Sequence, residues 1–161
     1  WAAVSNTPYR QYKIETFDGG LSAPFIIRYP SKIRPGSRYH SPFLLQDIAP
    51  PCLAWAALPI PAHMDGKPLN TYWNNPPELP PSKVWDFIPN TCPPRTIFWE
   101  HQRNRAALTS QFKLVAPNRG PWQVYDIRDR TEQNNLASRH QTLVEQLSAQ
   151  YRKWAAENHA E

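Results

Sequence analysis

The chain has 161 residues, enough for one respectable core, with 19 prolines against 5 glycines, 7 tryptophans and a formal charge of +5. No run of about eighteen apolar residues occurs, which argues against a membrane span. The basic residues are scattered rather than clustered, so nucleic-acid binding is the weakest of the function classes. Cys52 and Cys92, the two cysteines, fit no zinc-ligand spacing, which needs about four ligands. A disulfide between them and a pair of free thiols both stay open. The first residue is Trp1 and no signal-peptide pattern follows it, so the chain is expected to be a fragment or a processed product of a longer protein.

Residues 1–12 show little periodicity and read as a loop around Pro8. Asp18-Gly19-Gly20 is a turn signal, because glycine tolerates positive φ and aspartate bonds to nearby backbone. Lys13, held just ahead of that turn, is a plausible anion contact on rigid backbone. Residues 21–29 carry the contiguous apolar run Phe25-Ile26-Ile27 and predict a strand covered on both faces. Phe43, Leu44, Ile48, Leu53, Trp55 and Leu58 predict a helix in two parts. Pro50-Pro51 divides it, the second part starting with proline in its first turn. Residues 60–94 are rich in proline and carry Tyr72, Trp73, Trp85 and Phe87, the pattern of a segment that wraps the surface or forms a binding lip.

Three antiparallel strands are expected over 96–101, 106–115 and 123–127, with Asn118-Arg119-Gly120-Pro121 as the last turn. Ser138 to Gln141 fits a capping box. Behind it, Leu143, Leu147, Tyr151 and Trp154 recur every three or four residues, so one face of a terminal helix is apolar and packs on the small sheet. His101, beside Glu100 and near Asn104 and Arg105, is a candidate for the mouth of a substrate pocket, with a simple Glu100–His101 pair at a strand end as the other reading.

Asn6-Thr7-Pro8-Tyr9-Arg10-Gln11-Tyr12-Lys13 with Asp18-Gly19-Gly20, and then Trp99-Glu100-His101, Asn104-Arg105-Ala106, Phe112-Lys113-Leu114-Val115 and Trp122-Gln123-Val124-Tyr125-Asp126, together resemble the C-terminal portion of sulfatases of the arylsulfatase type. These belong to the alkaline phosphatase superfamily. The resemblance covers most of the chain outside its proline-rich middle. It implies the end of a large α/β domain over 1–59, a connecting segment over 60–94, and an α+β subdomain of antiparallel strands plus a terminal helix over 95–161. It also implies a sulfuric ester hydrolase with a formylglycine nucleophile and a calcium ion, both held upstream of this chain, which alone is expected to be inactive.

By the same resemblance Lys13, five residues before the acidic residue of the glycine turn, contacts the sulfate; it is the one catalytic position carried over, while His101 and Arg105 are expected to bind substrate on their place in the sequence beside Glu100 and Asn104. Phe17 stands where a histidine is often found, and the turn is Asp-Gly-Gly rather than Glu-Gly-Gly. Neither cysteine sits in a C/S-x-P-S/A-R motif, and the aspartates lack the paired blocks that hold calcium, so no complete metal site is expected here. The implied partners are the rest of the sulfatase domain and a sulfate ester, small or glycan, and the implied compartment is periplasmic or secreted. Two other readings remain: a non-catalytic module for sulfated or anionic glycans, stacking them on Tyr72, Trp73 and Trp85, and a phosphodiesterase or phosphonate hydrolase of the same superfamily.

Overall fold

The computed structural model describes residues 1–33, 35–36, 42–66 and 95–160. They fall into two units, residues 1–25 with 94–161 and residues 26–93. The aromatic side chains of 72–87 and Cys92 lie outside the described residues.

The first unit is built on a four-stranded meander. Strands β1 (Ile97–His101), β2 (Asn104–Leu108), β3 (Phe112–Ala116) and β4 (Gln123–Asp126) pair antiparallel in chain order. His101 faces Asn104 across the first hairpin, whose turn residues Gln102 and Arg103 both have positive φ, 46° and 72°. That is the conformation a two-residue hairpin loop demands.

The expected single strand over 106–115 is two strands with a turn between them. No glycine or proline marks the break. Instead Thr109 makes the turn: its Oγ1 accepts from the backbone N–H of Phe112 at 2.9 Å, while its own N–H donates to the Phe112 carbonyl. Among the described residues, 96–127 therefore hold four strands rather than the three expected.

Alternation along the strands gives the sheet two buried faces. On one, Ala107, Leu114 and Val124 form a cross-strand row that packs with Leu147 of helix α4 (Gln141–Glu157). The predicted stripe is the buried one: Leu147, Tyr151 and Ala155 are buried, and Trp154 stacks on Phe98 at 5.6 Å between ring centroids. The capping box is not formed. Ser138 lies in a short 3-10 turn, Ala137–Arg139, and His140 is the N-cap, without a side-chain cap bond. The incoming turn is ordered by Asn135, whose Oδ1 accepts from the N–H groups of Ala137 and Val124, both at 3.0 Å. That side chain does locally what a cap would do.

On the other face, Phe17, Val115 and Tyr125 form a second cluster, and the cover is the N-terminal segment rather than a helix. It holds two single turns, α1 (Ala2–Ser5) and α2 (Asp18–Leu21). Between them residues 10–19 form a closed loop. Gly19 N–H donates to the Arg10 carbonyl at 3.1 Å, and Asn6 Nδ2 bridges the carbonyls of Gln11 and Gly19 at 2.8 Å each.

The strand expected over 21–29 is absent. Leu21 ends α2, residues 22–29 are irregular, and Ile26 is 93% exposed. A contiguous apolar run signals burial without specifying pairing, and no described strand runs beside this one.

The second unit contains the two-part helix as expected. A 3-10 turn, Leu45–Ile48, leads into α3 (Ala49–Trp55), with Pro50 and Pro51 in its first turn where a missing N–H costs nothing. Asp47 accepts from the Leu44 N–H at 2.8 Å, and Trp55 meets Tyr29 edge to face at 4.6 Å. Cys52 is exposed on α3. No helix among the described residues is long and apolar enough to cross a membrane.

Candidate functional site

The N-terminal loop is anchored to the sheet by a buried ion cluster. Lys113, an inward residue of β3 only 3% exposed, places Nζ 2.8 Å from Asp18 Oδ1 and 2.8 Å from Glu132 Oε1. Glu132, 2% exposed, also accepts the Asp18 N–H on Oε2 at 2.6 Å. Arg130 completes the group, 3.2 Å from Asp18 Oδ2. Burial raises the pKa of the Glu132 carboxyl above its ordinary range, and the Lys113 charge works against that rise.

Arg10 ties the same loop from its other end. Its guanidinium lies 4.2 Å from the Phe17 ring centroid, and NH1 donates to Tyr125 Oη at 3.2 Å and to the Glu132 carbonyl at 3.1 Å. Tyr125 in turn donates to Gln123 Oε1. Phe17 is buried and meets Tyr125 edge to face at 6.2 Å. Here that position serves the core.

With both ends fixed, the loop presents its tip. Lys13 is exposed there between Tyr12 and Ile14, and Gln11 and Ile14 take positive φ, 64° and 86°. Asn104 at the start of β2 connects the tip to the sheet end, donating to the Ile14 carbonyl at 3.2 Å and accepting the Asn118 N–H at 2.9 Å. Thr16 Oγ1 adds a bond to the Arg105 carbonyl at 3.1 Å. His101 is exposed opposite Asn104 in register, so the structure brings the Lys13 loop and the His101 hairpin to one end of the sheet.

Arg105 is placed differently. Its side chain lies on the α4 side of the sheet, 4.9 Å from the Trp122 ring centroid and 6.0 Å from that of Tyr151, with NH2 donating to the Gly120 carbonyl at 3.0 Å. A planar guanidinium suits such a stacked, half-buried place better than an ammonium. Arg105→Lys is expected to lower stability by about 1 kcal/mol, to be read from chemical denaturation.

A lysine on a rigid loop offers a point charge and three donors, which suits the oxygens of a tetrahedral anion. Among the described residues no three His, Cys, Asp or Glu side chains come together as metal ligands. Of the anchoring residues, Arg10, Asn104 and Lys113 stand in the motif blocks quoted above, though nothing in the sequence assigns them an anchoring role, and Glu132 stands in none. Lys113 carries a further signal, a charge between the apolar residues of a buried strand; Glu132 sits in a polar stretch like any surface carboxylate.

Residues 12–157 match the family model described as N-sulphoglucosamine sulphohydrolase, C-terminal. Over 168 aligned residues the chain is 30% identical to the uncharacterized sulfatase PB10D8.02c of Schizosaccharomyces pombe, covering 98% of this chain and 29% of that protein. Among solved structures, BT4656 in complex with its substrate D-glucosamine-2-N,6-O-disulfate resembles it with a TM-score of 0.59 at 24% identity, over 83% of this chain and 28% of that one. The second likeness is one of fold. The chain thus spans under a third of the length of either relative.

Proposed function

Because this chain belongs to the sulfatase family, in its C-terminal part, we propose that it completes the sulfate-binding side of a sulfuric ester hydrolase and that Lys13 is its sulfate contact. The observation that carries the reading is the exposed Lys13 on a loop fixed at both ends and at its tip. A formylglycine and a calcium ion, carried by residues outside this chain, would supply the nucleophile and a counter-charge for the sulfate.

The chain's own contribution is electrostatic. As the bond between sulfur and the ester oxygen lengthens, negative charge grows on that oxygen, and a fixed ammonium beside it stabilises the transition state more than the ground state. Preorganisation matters, because a lysine on a mobile loop would spend part of the gain on being ordered. His101, exposed at the neighbouring hairpin, lines the substrate mouth in this reading, while Arg105 braces β2 against Trp122, Tyr151 and the Gly120 carbonyl. Sulfated amino sugars are the proposed substrate class, on the strength of the substrate held by the solved relative.

Lys13→Ala in the full-length protein is expected to lower kcat by about 10²–10³-fold, with a smaller change in KM and with the larger loss on esters of poorly departing alcohols. Steady-state kinetics on a sulfated sugar and an aryl sulfate measure this. An unchanged kcat on both would remove Lys13 from the reaction.

A further inference from the structure

Lys13 and Ile14 occupy the two central positions of a tight turn, closed by the Glu15 N–H donating to the Tyr12 carbonyl at 3.2 Å. Ile14, the third residue, has φ 86°. Turns with positive φ there ordinarily carry glycine, and a β-branched residue in that region is strained. Strain of this kind persists only where surrounding contacts over-determine the backbone. The contact on Ile14 is the side chain of Asn104, which is 6% exposed and engaged at both ends of its amide.

We propose that Asn104 is a positioning residue for Lys13. Its Nδ2–H holds the Ile14 carbonyl, and its Oδ1, bound to the Asn118 N–H, fixes the amide itself against the β3–β4 connection. That connection is in turn tied to the first hairpin by the Arg119 N–H donating to the Arg103 carbonyl at 2.8 Å. The strained turn, and with it the stem of Lys13, is thereby referenced to the end of the sheet rather than to solvent. The inference rests on the reading of Lys13 as the sulfate contact.

The test uses the full-length protein with Asn104→Ala, Asn104→Asp, Lys13→Ala and the Lys13→Ala/Asn104→Ala double variant. Asn104→Asp keeps the acceptor for Asn118 and removes the donor to Ile14, so it serves if the alanine variant folds poorly. Both Asn104 variants are expected to lose about tenfold to 10²-fold in kcat/KM, since misplacing a reacting group by about 1 Å costs that much. On the Lys13→Ala background the Asn104 change should cost less than about twofold, because residues acting through one group are not additive.

Hydrogen exchange should rise in a peptide covering residues 10–19 and stay unchanged in α4. An equal loss with and without Lys13, or exchange unchanged in the loop, overturns the positioning role. A Lys13→Ala protein with full activity instead sinks the reading of Lys13, and the loop exchange then still reports separately whether Asn104 holds the turn.

Discussion

Lys113→Met is expected to destabilise the protein by about 3–5 kcal/mol, the usual cost of removing one partner from a buried ion pair. The methionine fills much of the volume, so the loss is electrostatic rather than a cavity effect. Glu132, 2% exposed, is left without its cation, while Asp18 keeps Arg130. Glu132 already binds its proton more tightly in the folded state than an ordinary glutamate does, because burial raises its pKa. A group with a raised folded pKa contributes most at pH below its unfolded value, and that contribution is lost as pH rises through the folded value.

The Lys113 charge lowers that pKa, so its removal pushes Glu132 higher still. The deficit of Lys113→Met should therefore be largest at neutral pH and shrink in acid, where Glu132 takes up a proton. Adding Glu132→Gln should recover part of the loss at neutral pH. Denaturant titrations across pH check both; a deficit independent of pH would mean that the cluster does not titrate as described.

Gly20→Ala is expected to cost about 3 kcal/mol or more, beyond the usual range for overpacking. A Cβ at Gly20 would lie 1.9 Å from the Glu15 carbonyl oxygen and 2.9 Å from that of Tyr12. Both are backbone atoms of the loop that carries Lys13, so no side chain can swing away to make room. The loop must open, and the open form loses the Gly19–Arg10 closure. Unfolding measurements should show the loss of stability, and turnover by the full-length protein should fall alongside it. A Gly20→Ala protein with native stability would contradict the loop geometry.

Legibility in the sequence followed the range of the interactions. The α4 stripe, Leu143 to Trp154, was readable because periodicity is a local property and the helix needs only one face covered. The divided helix at Pro50-Pro51 was readable for the same reason. The hairpin at Thr109 was not, since its turn is made by a threonine side chain in a stretch free of glycine and proline. The strand over 21–29 was wrongly expected because an apolar run carries no information about its neighbours.

Least visible was the layer formed by the N-terminal loop. Its anchors join residues 89 or more positions apart in sequence, such as Thr16 to Arg105, Lys113 to Asp18 and Arg10 to Tyr125, and no local pattern announces them. Of the candidate residues, Lys13 was singled out by the resemblance of its segment to sulfatases; what holds it in place came only from the fold.

The most direct measurement is inorganic sulfate released by the full-length protein, quantified by ion chromatography, from an aryl sulfate and from sulfated glucosamine. One sulfate per desulfated product over many turnovers is expected from at least one of the two, with turnover depressed in Lys13→Ala. Saturable binding of both compounds with no sulfate released would contradict it and leave a glycan-binding protein on a sulfatase fold.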